Sequence, residues 1–139
     1  MSLMRLFCLL ALLATPAIAW EFSPTPICIL RNDGNVATEV TYDGTLYAIH
    51  LTRADGWPTA PVFAIRFEGA APLTISTSRH VIDGTTLTVT DRGFGNVLSG
   101  LQFNHTATAL IGDLAVPIDL SGAADPVRAF RDCPGTPSV

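Results

Sequence analysis

Val36-Ala37-Thr38-Glu39-Val40-Thr41-Tyr42-Asp43-Gly44-Thr45-Leu46-Tyr47-Ala48-Ile49-His50-Leu51-Thr52 is two strands and the turn between them. Val36, Thr38, Val40 and Tyr42 share one side of the first strand, and Ala37, Glu39 and Thr41 the other. Tyr47, Ile49 and Leu51 repeat this against Ala48, His50 and Thr52. A side-chain period of two with one apolar side is the mark of a strand lying on a core. Asp43-Gly44 falls between the two runs, and glycine supplies the positive φ that a tight hairpin turn requires.

The same grammar extends outward in both directions. Phe63, Ile65 and Phe67 alternate with Ala64, Arg66 and Glu68, the strongest core signature in the chain. Leu73 and Ile75, Leu87 and Val89, Ala107 to Ile111, and Leu114 to Leu120 follow suit, with Ile27 to Arg31 at the start, giving about eight strands. Further Asp-Gly pairs at Asp33-Gly34, Asp55-Gly56 and Asp83-Gly84 imply antiparallel neighbours. Pro117 lies on the outward side of its run and has no N–H, which places that strand at a sheet edge or a bulge. The expected fold is therefore all-β: an antiparallel two-sheet sandwich or a partly open barrel.

Two stretches break the pattern. Asp125-Pro126 reads as an N-cap followed by proline at the first helical position, and Val127, Phe130 and Cys133 then recur on one side, predicting one short C-terminal helix. Arg92 to Asn104 holds three glycines among Val97, Leu98, Leu101 and Phe103 and fits either a helical turn or a bulged strand. The polar tail Pro134 to Val139 is expected to fray.

Residues 1–19 read as an export signal to be cleaved: a basic start through Arg5, an apolar run Leu6 to Leu13, and Ala17-Ile18-Ala19 before Trp20. The apolar run is too short for a membrane span, which takes about 20 residues, and Cys8 inside it does not sit where a lipid-carrying cysteine would. Residues 20–139 then form one domain, expected in the periplasm or outside the cell. There Cys28 and Cys133, the two cysteines left after cleavage, should form a disulfide.

Loss of Arg5 leaves seven of the eight basic residues, all arginine, against twelve acidic ones. With no basic cluster, nucleic acid and anionic membrane are poor partners. His50, His80 and His105 stand on different strands with no ligand spacing, so neither metal nor cofactor is expected. Each Asp-Gly aspartate stands alone, unlike the stacked oxygens of a calcium loop. No Gly-x-Ser-x-Gly elbow occurs, and Gly93-Phe94-Gly95 has Leu98 where a dinucleotide fingerprint has its third glycine.

Two places remain as contact candidates. In the loop Asp55 to Pro61, Trp57 with Pro58 and Pro61 offers a rigid aromatic anchor, unless Trp57 folds back over the open end of the sandwich. Arg79 and His80 with Arg92 suggest an anion site. The leading expectation is a non-enzymatic, monomeric domain that binds a protein or envelope component. The alternatives are a small hydrolase or lyase in which His80 meets Asp83 or Asp91, and a structural part of an envelope assembly.

The stretches Phe63 to Phe67, Leu73 to His80, Asp91 to Asn104 and Leu120 to Cys133 resemble a group of short exported proteins of Gram-negative bacteria that carry no assigned activity. Some members bear a label that names them as the helicase component of the excinuclease ABC complex. With no P-loop, helicase motif or basic face, the chain departs from such a helicase in every respect that matters. The strand-glycine-helix ending also resembles the invasion-associated locus B proteins, which implies a periplasmic β-sandwich. Neither resemblance brings catalytic residues.

Overall fold

A computed structural model describes residues 19–133, so the export signal, apart from Ala19, and the polar tail 134–139 lie outside the described residues. Ten strands and two helices follow in the order β1 (Trp20–Ser23), β2 (Cys28–Asp33), β3 (Ala37–Tyr42), β4 (Tyr47–Thr52), β5 (Phe63–Gly69), β6 (Leu73–Thr77), β7 (Val81–Asp83), β8 (Thr86–Asp91), α1 (Gly95–Phe103), β9 (Asn104–Ile111), β10 (Leu114–Asp119) and α2 (Ala124–Asp132). They build two antiparallel sheets, one ordered β1-β2-β3-β4-β8-β7 and the other β10-β9-β5-β6. Among the described residues no strand joins the two sheets, so the fold is an open sandwich and not a barrel. The count exceeds the expected eight by β1 and β7, whose four and three residues are too short to display a period.

The alternating residues meet between the sheets as expected. Leu30, Val40, Ile49, Leu51 and Leu87 of the first sheet and Phe63, Ile65, Phe67, Ala109 and Ile118 of the second are buried. Outward residues form exposed pairs such as Arg31 with Glu39 at 3.0 Å and Arg66 with Glu68 at 2.7 Å, worth little in stability. β10 is an edge strand carrying Pro117, in keeping with the proline's missing N–H.

The ambiguous stretch after Arg92 resolves into α1. Gly100 is what lets that helix lie on the second sheet, because a Cβ there would come within 2.5 Å of the Phe67 ring. Asn104 locks the helix end in place: its Nδ2 donates to the carbonyls of Ala71 and Gly100, and its Oδ1 accepts from the Ala71 N–H. At Gly69 (φ +153°) a β-bulge lets the β5 backbone pass so close to Asn104 that a Cβ would stand 2.7 Å from the Asn104 Cα.

The C-terminal helix α2 forms, but it starts earlier than its sequence suggests. Ala123 occupies the cap and Asp125 stands inside the first turn, 3.4 Å from Arg128. Proline is tolerated throughout the first turn, where N–H groups have no helical partner, so Pro126 does not fix the start. Val127 and Phe130 are fully buried, and α2 packs on β1 and β2. That brings Cys133 to Cys28, and the two are bonded with Cα atoms 6.2 Å apart.

Candidate functional site

The sandwich is not filled at every corner. Where β6 of one sheet and β8 of the other stand apart across the sandwich, the inner surfaces leave a cleft of about 590 Å³. The first sheet contributes Ile49 and Val89, directly paired across β4 and β8. The second contributes Phe63, Ile65 and Ile75, the last two paired across β5 and β6. Phe94 and Val97, at the start of α1, form the end wall. Ile75 and Val89 stand at core positions of their strands yet are only half-buried, because the layer that would cover them is missing.

Phe94 is held rigidly in this wall. Its ring stacks on Tyr47 at 5.5 Å, and Tyr47 in turn lies 4.2 Å from Tyr42 and 6.2 Å from Phe130. Burial, and then the neighbouring Tyr42, push the Tyr47 phenol above its ordinary range, so it stays uncharged at neutral pH.

The mouth is polar. Ser76 and Thr77 lie on the β6 side, and Arg79 reaches across to Asp91, the last residue of β8, at 2.9 Å. This ion pair ties the connection after β6 to the end of β8. Both side chains are well exposed, so the contact sets the shape of the opening more than it stabilises it. Asp91 also accepts the Arg92 backbone N–H at 2.7 Å, which fixes the carboxylate. No residue in the first turn of α1 is acidic.

The sequence-based candidates divide sharply. Trp57 is not an exposed anchor: it is buried, and its indole N–H is shared between the carbonyls of Leu51 at 2.9 Å and Thr85 at 3.1 Å. It folds back to close an end of the sandwich, with the Arg53 guanidinium over its ring at 5.4 Å. A ring with one polar edge can be buried wherever strand-end carbonyls lack donors, and these two supply that setting. Pro58 and Pro61 stay exposed on the same loop, beside a half-exposed Val62.

His80 does not meet Asp83 or Asp91, the geometry on which the hydrolase alternative depends. Its Nε2 lies 2.9 Å from the Ala60 carbonyl, which can only accept, so Nε2 carries the hydrogen. Its Nδ1 is buried without a partner among the described residues, and its ring lies 6.1 Å from Phe63. His80 thus ties the Pro58–Pro61 loop to the strand crossing at residues 78–80. Of the anion-site candidates, Arg79 is paired with Asp91, and Arg92 touches Asp91 only through its backbone N–H, so the two guanidinium groups are not gathered around a shared site among the described residues.

The cleft floor is not visible in the sequence. Ile75 and Val89 read there as core, and period alone cannot say which core positions are left uncovered. Among the described residues no group of three or more His, Cys, Asp or Glu side chains could hold a metal ion, and no helix is long and apolar enough to cross a membrane. The architecture defines a class: a disulfide-bonded, open two-sheet sandwich with helices closing one side. Comparison of the chain with protein-family models, with curated proteins and with solved structures returns no match.

Proposed function

We propose that this chain is an exported, non-enzymatic periplasmic domain that binds a protein or another envelope component by seating an apolar group in the corner cleft. One observation carries this reading: Ile75 and Val89 occupy inward strand positions but face an opening of about 590 Å³. Pockets that bind organic groups are apolar, with a few polar side chains at the rim to orient the ligand. The rim here holds Arg79, Asp91, Ser76 and Thr77. The disulfide is in keeping with an exported location, and the one histidine near the cleft bonds to a backbone carbonyl and to no acid.

The probe is 1-anilinonaphthalene-8-sulfonate, whose fluorescence rises in apolar surroundings. The mature domain should bind it saturably. Val89→Trp fills the cleft from the half-buried side and should abolish binding while leaving the unfolding midpoint nearly unchanged. Undiminished binding by that variant would refute the reading.

A further inference from the structure

We propose that β6 is a docking edge: the cleft is filled when an extended segment of a partner protein adds to β6 as a further strand, its alternate side chains entering the cleft. The inference rests on the cleft reading above and names the partner's chemistry.

The backbone argument starts at the other side of the sheet. Ile111 and Leu114 flank the two-residue turn Gly112-Asp113, which makes them a hydrogen-bonded pair. In an antiparallel ladder bonded and non-bonded pairs alternate, so Ile111, Ala109 and Ala107 bond toward β10. Leu110 and Thr108 must then bond toward β5, to Ala64 and Arg66. That turns Phe63, Ile65 and Phe67 toward β6, where they meet Thr77, Ile75 and Leu73. Thr74 and Ser76 are left with their N–H and C=O groups directed away from the sheet. No turn, loop or side-chain hydrogen bond reaches those groups among the described residues.

Proteins guard such edges, because unpaired strand groups recruit other chains. The other three edges here are guarded. α2 packs over β1, β7 is three residues long and ends in Asp83, and β10 carries Pro117. By the same alternation Pro117 falls opposite Thr108 in a non-bonded pair, so it removes an outward N–H. β6, Leu-Thr-Ile-Ser-Thr, contains no charge, proline or bulge, and α1, which touches it, makes no hydrogen bond to Thr74 or Ser76 among the described residues. The unguarded edge is the one that borders the cleft.

Charge defines the partner further. Arg31, Arg53, Arg66, Arg79 and Arg128 each have a carboxylate within 4 Å, and Arg131 bonds Ser99 and Gln102. Arg92, exposed and next in the chain to Asp91, has no side-chain partner among the described residues, in a chain of net charge −4. The partner segment is therefore extended and apolar at every second position along β6, with one acidic residue at the end nearest the unpaired Arg92. This is strand addition, in which backbone bonds give affinity and alternate pockets give selectivity.

The probes are two N-acetylated, C-amidated hexapeptides, Asp-Val-Thr-Val-Thr-Val and Val-Thr-Val-Thr-Val-Asp, each with the aspartate as its one charge, which also report strand direction. Amide hydrogen exchange of the mature domain should slow at least tenfold at Thr74 and Ser76 when one of them saturates. Arg92→Glu, an exposed change, should weaken that peptide severalfold, and replacing the peptide's Asp by Asn should remove the difference. A peptide that binds without slowing Thr74 and Ser76 overturns the proposal. So does failure of both peptides to bind; continued binding of the naphthalene probe would then leave the cleft reading standing. Slowed exchange at both positions without peptide, growing with protein concentration, assigns the edge to a second copy and overturns the partner.

Discussion

Replacing Trp57 by alanine tests how the loop after β4 closes the sandwich. The indole is buried, lies under the Arg53 guanidinium, and its N–H is the shared donor for the carbonyls of Leu51 and Thr85. Deleting a buried aromatic ring costs about 3–5 kcal/mol. For a domain of this size each kcal/mol lowers the unfolding midpoint by roughly 3–6 °C, so Trp57→Ala should lose roughly 9–30 °C. Trp57→Phe separates the two contributions. It keeps most of the ring and removes the N–H, leaving two carbonyls without that donor at a cost of about 1–3 kcal/mol. The assay is urea unfolding followed by far-ultraviolet circular dichroism, comparing midpoints at equal slope. A loss below about 1 kcal/mol for Trp57→Ala would refute this account of the ring and return Trp57 to the surface.

Three further outcomes follow from the fold. Reducing the Cys28–Cys133 bond, which spans a sequence separation of 105 residues, should lower stability by about 4–5 kcal/mol on loop-entropy grounds; equal urea midpoints with and without reductant would show that the staple contributes nothing. Gly100→Ala drives a methyl into the Phe67 ring and should cost about 1–3 kcal/mol despite alanine's better helix propensity, whereas a stabilised variant would mean that α1 sits further from β5. Asp43 is held below the ordinary aspartate range by the N–H groups of Leu46 and then Thr45, and Asp119 by the hydroxyl and then the N–H of Ser121. Their native values lie below the unfolded ones, so their contribution is present at neutral pH. It fades as pH falls through the unfolded value, about 3.9, toward the lowered native values. Asp43→Asn with Asp119→Asn should flatten this acid limb, and an unchanged pH dependence would remove these two carboxylates as its source.

Most of the sheet structure is legible in the sequence, for a physical reason. Residues such as Phe63, Ile65 and Phe67 can reach a core on alternate positions only from a strand, and an Asp-Gly turn such as Asp43-Gly44 fixes where the strand folds back. β7 escapes such a reading because three residues show no period, and α1 because its glycines argue against a helix until the Phe67 ring that requires Gly100 is known. The site is less legible than the fold. Arg79 stands out in the sequence and does pair with Asp91 at the cleft mouth, but Trp57 turns inward because carbonyls at Leu51 and Thr85, far apart in sequence, both need its N–H. The cleft depends on where two sheets diverge, and no local pattern encodes that divergence.

Methyl-resolved NMR of the mature domain titrated with the naphthalene probe is the most direct test of the open corner. The Ile75 and Val89 methyls, with Ile49 and Ile65 behind them, should shift progressively and saturate together, while Ile29 and Ile118 stay still. Shifts scattered over the surface, or confined to the loop around Pro58 and Pro61 with Ile75 and Val89 unmoved, would contradict it.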